Sequence, residues 1–163
     1  MSNVYLKVME EIDLEKVLEW RNSERIRQGM YTNRIITFDE HKKWFYNCMA
    51  RKDIKNFICY LDDHAVGVVN ITDIDCENLT CTWSIYRGAI NCPAGTGYQI
   101  GKCTLNYIFH ELKLRKVYVE VLANNKISEN FHKKLGFEIE GVFKKHIIRN
   151  GVCLDVLRLA IFK

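Results

Sequence analysis

Three polar residues in the last third of the chain have the types and spacing that chemistry on a ligand requires. Asn125, Ser128 and His132 are three and four residues apart, so on a helix they would share one face. The imidazole of His132 could give or take a proton near neutral pH, although a lone helical histidine is often structural. The row therefore indicates a wall that faces a ligand, with an ordinary solvated face as the alternative. The neighbouring apolar face would consist of Ile127, Phe131 and Leu135.

A glycine-rich stretch upstream of this row could hold a phosphate group. Residues 94–101 read AGTGYQIG, and their spacing matches neither the Walker A loop nor the dinucleotide fingerprint. The stretch precedes a predicted helix, whose first-turn N–H groups are unpaired and whose dipole favours anions. A pyrophosphate would fit there, and a turn that needs positive φ and binds nothing is the alternative. The amides that would hold the pyrophosphate belong to Gly95, Thr96, Gly97, Tyr98 and Gln99.

Strands that would position these residues follow from the alternation of apolar and polar residues. Short alternating runs bounded by turn residues predict β-strands. The turns are predicted at Asp62-Asp63-His64 and at Asn150-Gly151. The strands would cover residues 4–8, 56–61, 65–72, 79–86 and 116–121, with two more on either side of the last turn.

Helices follow from the second periodicity in the sequence, with apolar residues three and four positions apart. We expect Asp13 to be the N-cap of a first helix, and Thr37 and Glu40 to form the capping box of a second. Residues 126–135 would form the last helix, ended by Gly136. Hairpins early and strand-helix-strand units late indicate an α/β fold. The helix after the glycine stretch would bury Leu105, Ile108, Phe109 and Leu112.

Composition limits the domain count and the partners. With 163 residues and 48% hydrophobic content, we expect one domain over residues 1–163. A net charge of +4, without a basic stripe, suits an anionic small ligand and argues against nucleic acid as the main partner. Seven cysteines without a C-x-x-C pair predict reduced thiols and no metal site. The charged start predicts neither a signal peptide nor a membrane span, so we expect a cytoplasmic protein.

The glycine stretch and the polar row together resemble the Gcn5-related N-acetyltransferase (GNAT) superfamily. Its acetyl-CoA loop is typically Q/R-x-x-G-x-G/A, and residues 92–97 read CPAGTG. Its later helix carries N-x-x-A/S-x-x-x-Y-x-x-x-G-F, and residues 125–137 read NKISENFHKKLGF. Cys92 stands where Gln or Arg is common, and His132 where a tyrosine general acid is common. The resemblance implies acetyl-CoA as co-substrate and a mixed, twisted sheet of about seven strands, splayed at the acetyl-CoA site and flanked by about four helices.

The resemblance narrows to one branch of the superfamily. Residues 19–45, 69–86, 120–137 and 141–156 are similar to the PseH-type branch, which acetylates a 4-amino sugar nucleotide in pseudaminic acid biosynthesis. The implied acceptor is UDP-4-amino-4,6-dideoxy-N-acetyl-β-L-altrosamine. An exposed edge in the last hairpin could also pair with a second subunit, which would make a homodimer.

An amine that attacks a thioester needs three kinds of help: removal of its proton, polarisation of the carbonyl and a proton for the thiolate. Glu120 could take the amine proton, because alternation puts it opposite the valines of its strand; a solvated charge is the alternative. His132 could protonate the thiolate, since its reference pKa of about 6.5 is below the value of about 8.5 for a thiol. The resemblance implies that backbone N–H groups of Ser84, Ile85 and Tyr86 polarise the carbonyl.

The acceptor would be bound by residues from the first half of the chain. Arg21 could bind a phosphate as a bidentate donor, although a surface arginine is the alternative. Met30 and Tyr31 could pack on a sugar or base, or serve only loop packing. His41 could contact the pyrophosphate, with a satisfied core histidine as the alternative. The remaining acceptor candidates are Thr72, Tyr86 and Glu120.

Two other functions are compatible with the sequence. A protein N-terminal or ribosomal-protein acetyltransferase would share the W-R-N and GFEIEG segments. A non-catalytic acyl-CoA-binding module would bind acetyl-CoA without turnover. Glu120 and Arg21, which would face an amine acceptor, argue modestly against the second alternative.

Overall fold

A computed structural model describes residues 3–163, and this part of the chain forms a mixed sheet of seven strands with helices on both faces. The strand order is β1-β2-β3-β4-β5-β7-β6, which confirms the α/β class and the expected number of strands. The strands are β1 (Val4–Val8), β2 (Lys55–Leu61), β3 (His64–Asp75), β4 (Thr80–Arg87), β5 (Lys116–Leu122), β6 (Glu138–Arg149) and β7 (Val152–Phe162).

Residues 3–163 contain five α-helices, and the shortest accounts for the difference from the expected four. That helix, α2, is a single turn between α1 and the loop that leads to α3. A 3₁₀ turn (Glu11–Asp13) precedes α1, and a π-helical turn (Tyr107–Glu111) extends α4. The helices are α1 (Leu14–Asn22), α2 (Glu24–Arg27), α3 (Phe38–Met49), α4 (Thr96–Asn106) and α5 (Lys126–Leu135).

The three predicted cap residues lie at the expected helix ends, and two of them make the expected cap. The Thr37 hydroxyl accepts from the Glu40 N–H at 3.3 Å and the Glu40 carboxylate accepts from the Thr37 N–H at 2.8 Å, so the capping box is confirmed. Gly136 ends α5 with a φ of 100°, as expected. Asp13 is the N-cap residue of α1, as predicted, but its side chain makes no capping hydrogen bond to that helix. Its carboxylate accepts from the Glu10 N–H at 2.8 Å and caps the 3₁₀ turn instead of α1.

The sheet opens between β4 and β5, the one parallel pair among the described strands. Residues Thr80–Thr82 pair with Lys116–Tyr118, and the pairing stops there. On its other edge β5 stays paired with β7 over all seven of its residues. Because β4 diverges from β5 beyond Thr82, a cleft forms at this point, and the expected splay is confirmed.

Helices α4 and α5 cover one face of the sheet at close range. A Cβ atom added to Gly101 would lie 2.6 Å from Leu135 Cδ1, so any larger residue there would force the Leu135 side chain or the two helices to shift. Leu135 is buried and Phe131 packs against the core, as predicted. The prediction for Ile127 is wrong, because its side chain is 87% exposed at the start of α5. No helix within residues 3–163 combines the length and hydrophobicity that crossing a membrane takes.

Candidate active site

A cavity of about 760 Å³ lies where β4 and β5 separate. Residues 82–87 of β4 and 118–120 of β5 form two of its walls. The first turns of α4 and α5 and the end of α2 with residues 29–31 close the other sides. A volume of this size suits a small-molecule ligand or cofactor.

The cavity brings together most of the residues that the sequence nominated. The predicted residues in its lining are Met30, Tyr31, Ser84, Ile85, Tyr86, Gly97, Glu120, Asn125, Ser128 and His132. The predicted residues outside its lining are Arg21, His41, Thr72, Gly95, Thr96, Tyr98 and Gln99.

The glycine stretch forms the start of α4, with Gly95 as its N-cap at a φ of 89°. Two of the amides expected to hold a pyrophosphate are used inside the chain. The Thr96 N–H donates to the Pro93 carbonyl at 3.2 Å and the Gln99 N–H to the Gly95 carbonyl at 3.0 Å, so that part of the prediction is wrong. Within the described residues, the N–H groups of Gly97 and Tyr98 make no such bond.

Gly97 tests whether this helix start fits a phosphate ligand. A Cβ atom added there would meet nothing closer than Phe131 Cε2 at 4.0 Å, so the fold itself does not require glycine. Gly97 lines the cavity, and a side chain would occupy the space next to the free amides of the first turn. The absence of a side chain leaves these amides accessible from the cavity, a geometry that fits close approach of a pyrophosphate.

His132 is buried, with 3% of its surface exposed, and both ring nitrogens have partners inside the chain. The Trp83 indole N–H donates to His132 Nε2 at 3.1 Å, so Nε2 carries no proton. Nδ1 lies 2.8 Å from the Ser128 carbonyl and must be the protonated nitrogen. Burial lowers the pKa of His132 to about 4, which the hydrogen bond to the Ser128 backbone only partly offsets. The imidazole is neutral and fully engaged, which argues against the general-acid role expected for it.

Asn125 and Ser128 share the cavity face with His132, as their spacing predicted. The Asn125 carboxamide oxygen caps α5 by accepting from the Ser128 N–H at 3.1 Å. Its Nδ2 would lie 2.9 Å from a Cβ atom added to Gly29, so the start of α5 approaches the loop after α2 closely. The Asn125 side chain thus lies where the start of α5 meets the loop after α2.

Glu120 lies on the β5 wall with a donor on one side and a cation on the other. The Tyr31 hydroxyl donates to Glu120 Oε2 at 2.5 Å. Arg158, directly opposite on β7, lies 3.8 Å from Oε1 and 3.9 Å from the centre of the Tyr118 ring. Burial and the hydrogen bond to Glu120 raise the pKa of Tyr31, so this phenol stays protonated. Oε1 is thus the carboxylate oxygen that has no close hydrogen-bond donor among the described residues.

Arg21 and His41 contain buried polar atoms that have no partner within residues 3–163. Arg21 Nη2 donates to the Thr32 carbonyl at 2.7 Å, whereas Nη1 is buried and unpaired. His41 stacks on Trp44, and its Nε2 is also buried and unpaired. Burial lowers the pKa of both groups. Such unpaired atoms are uncommon and costly in folded proteins.

Several residues that line the cavity were not nominated from the sequence. Arg158 interrupts the apolar run of β7, a signal that could have marked it. Trp83 fits the alternation of β4 as a core residue, but its bond to His132 joins positions 49 residues apart. Thr82 was missed as well, although its cross-strand partner Thr72, which lies outside the lining, was nominated. Arg25 carried no signal in the sequence at all.

Comparison with known proteins identifies the family to which this chain is similar. The family model described as "Acetyltransferase (GNAT) domain" matches residues 6–157. Spermidine N(1)-acetyltransferase of Escherichia coli (strain K12) is 22% identical over 161 residues, 99% of this chain and 87% of that protein. Acetyltransferase PseH of Campylobacter jejuni is 25% identical over 127 residues, 78% of each chain.

A solved structure shows the same fold. Spermidine N-acetyltransferase from Vibrio cholerae, crystallised with CoA and spermine, has a TM-score of 0.90 at 21% sequence identity. The match covers 98% of this chain and 95% of that one. The PseH-type assignment made from the sequence is thus too narrow, because PseH is one relative among others and the spermidine acetyltransferases match more of the chain.

Proposed function

We propose an amine on an anionic molecule as the acceptor of this chain, which belongs to the GNAT acetyltransferase domain family and is an acetyl-CoA-dependent N-acetyltransferase. The specific acceptor we propose is the 4-amino group of a UDP-linked amino sugar, UDP-4-amino-4,6-dideoxy-N-acetyl-β-L-altrosamine. The sequence resemblance to the PseH-type branch and the PseH relative support this choice. The observation that carries it is the set of arginines around the loop after α2.

These arginines carry positive charge that no carboxylate neutralises. Arg21, Arg27 and Arg149 all donate to main-chain carbonyls of residues 28–33. Arg25, which lines the cavity, donates to two further carbonyls. In the described part of the chain, none of the four guanidinium groups has a carboxylate oxygen within 4.0 Å. Their summed field attracts an anion such as a nucleoside diphosphate.

The unpaired atoms of Arg21 and His41 belong to the same region. Both atoms are buried and outside the cavity lining, so they mark an unsatisfied polar region behind this side of the cavity and do not themselves reach a ligand in it. The charge of Arg21 is further disfavoured by the nearby Arg27 and Arg34, which add to the effect of burial in lowering its pKa. An anionic ligand would relieve this repulsion.

A polyamine is the second candidate acceptor. The names of the spermidine acetyltransferase relatives favour it, and Asp73 and Glu120 in the cavity lining could bind an ammonium group. Residues 25–38, however, contain Arg25 and Arg27, which have no carboxylate partner among the described residues, besides Arg34, which pairs with Glu40 at 2.6 Å. A cation of several charges would be repelled at this side of the cavity, so we rank the polyamine below the nucleotide sugar.

The described residues suggest how the transfer proceeds. Glu120 accepts the proton that the amine loses as its nitrogen bonds to the acetyl carbon and the carbon–sulfur bond breaks. Main-chain groups of Ser84–Tyr86 lie on the β4 edge that leaves β5, where they would face the acetyl oxygen. The free amides of Gly97 and Tyr98 would hold the pyrophosphate. A thiolate with a pKa of about 8.5 is a stable leaving group that water can protonate, so no acid is needed at His132.

A panel assay tests the proposal. Purified protein and acetyl-CoA are mixed with the UDP-4-amino sugar, spermidine or a peptide with a free amino terminus, and release of free CoA is followed. We expect turnover with the nucleotide sugar above both other amines. Turnover with spermidine alone would support the polyamine, and turnover with the peptide alone would support a protein acetyltransferase.

A further inference from the structure

One side chain from the far end of the sequence holds the loop that closes the acceptor side of the cavity. Arg149 is the last residue of β6, at the tip of the β6–β7 hairpin. Its Nη1 donates to the Gln28 carbonyl at 2.8 Å, and its Nη2 donates to the carbonyls of Met30 at 2.5 Å and Tyr31 at 3.2 Å. Three carbonyls within four residues are therefore bonded to one guanidinium group.

The held segment has little regular structure of its own. Helix α2 ends at Arg27, and α3 begins at Phe38. Local turns, with the Met30 N–H donating to the Arg27 carbonyl at 3.0 Å, lead out of α2. Because a loop without ladder hydrogen bonds is mobile by default, its position over the cavity depends on side-chain contacts such as those of Arg149.

Tyr31 links Arg149 to Glu120, the proposed base. Its carbonyl is bonded to Arg149, while its hydroxyl donates to Glu120. We propose that Arg149 is a positioning residue, which fixes residues 28–31 so that Tyr31 can hold the Glu120 carboxylate beside the acceptor amine. The inference deepens the proposed function, since it assumes that this part of the cavity receives the amine.

Arg149→Lys separates this role from a contribution of charge. Lysine keeps the positive charge but loses the planar fork that reaches several carbonyls at once. A residue that acted through charge alone would tolerate the change. Arg51→Lys is the matched control, because Arg51 pairs with Asp53 and lies outside the cavity lining.

Hydrogen–deuterium exchange of the full chain without ligands tests the positioning step. We expect faster exchange in a peptide that spans residues 28–33 for Arg149→Lys, with no change for Arg51→Lys and no change in α5. Unaltered exchange of residues 28–33 in Arg149→Lys would overturn the inference, whatever the acceptor is.

Kinetics with the UDP-4-amino sugar and with spermidine test the catalytic consequence. Misplacement by about 1 Å can cost roughly 10²-fold in rate, so we expect kcat/KM for Arg149→Lys to fall roughly tenfold to 10²-fold with unchanged acetyl-CoA affinity. In a Tyr31→Phe background, Arg149→Lys should lower kcat/KM much less, because the contact that Arg149 positions, between Tyr31 and Glu120, is already lost. An equal loss in both backgrounds, or wild-type kinetics, would overturn the inference. Turnover of spermidine alone would refute the proposed acceptor while leaving this comparison intact.

Discussion

Acidification should destabilise the protein through His132, and the His132→Gln substitution should remove that part of the effect. The imidazole is 3% exposed, accepts from the Trp83 indole and has a pKa lowered by burial to about 4, against 6.5 for an unperturbed histidine. The unfolded chain therefore binds a proton at this residue below about pH 6.5, whereas the folded chain does not until about pH 4. Stability from this residue is complete above pH 6.5 and is lost as the pH falls through that window.

The difference in pKa sets the size of the effect. At 1.36 kcal/mol for each tenfold change in proton affinity, the full loss is about 3 kcal/mol, of which about 2 kcal/mol is reached by pH 5. Glutamine at position 132 can still accept from the Trp83 indole through its carbonyl oxygen but does not titrate. His41, whose pKa burial also lowers, is present in both proteins and cancels in the comparison.

Urea unfolding at about pH 7.5 and about pH 5 measures this effect. The wild type should lose about 2 kcal/mol more than His132→Gln on acidification. Equal losses in the two proteins would refute the account of His132 as a buried neutral histidine.

The same variant tests catalysis, because a general acid raises the reaction rate by about 10²- to 10⁴-fold. If His132→Gln folds and binds acetyl-CoA but loses that much kcat, His132 is the acid after all.

Three further predictions concern the cavity and its supports. Gly97→Val should leave the fold intact yet weaken acetyl-CoA binding by at least about tenfold in calorimetry, and unchanged affinity would exclude the α4 amides from the site. Gly101→Ala should destabilise the protein by about 1–3 kcal/mol in urea unfolding, because the added Cβ would lie 2.6 Å from Leu135 Cδ1. Gly141→Ala is the control and should not change stability, because a Cβ atom added there would meet nothing within 4 Å. Glu120→Gln should lower kcat by about 10²-fold or more with acetyl-CoA affinity retained, and a wild-type rate would rule out Glu120 as the base.

Local features of the fold were readable from the sequence because they depend on neighbouring residues. The Asn150-Gly151 turn has positive φ at both positions, and the capping box joins residues three apart. Asp13 is the N-cap residue of α1, but its carboxylate caps the preceding 3₁₀ turn, which the helical periodicity did not predict. Ile127 was misassigned because periodicity does not show where the neighbouring elements end.

The candidate site was readable in its residue types but not in its contacts. The spacing of Asn125, Ser128 and His132 does put all three on the cavity. The role expected for His132 depended on a free ring nitrogen, and the Trp83 bond that occupies it spans 49 residues. The bond from Arg149 to Gln28 spans 121 residues. Contacts of this kind depend on strand register and on helix placement, which local sequence patterns do not reveal.

The most direct test of the central claim is a competition between the two candidate acceptors. Purified protein is given limiting acetyl-CoA and equal concentrations of the UDP-4-amino sugar and spermidine, and mass spectrometry identifies which amine carries the acetyl group. We predict that the acetyl group is found predominantly on the nucleotide sugar, and that its share decreases as salt screens the arginines. Predominant acetylation of spermidine would contradict the proposal that the uncompensated arginines select an anionic acceptor.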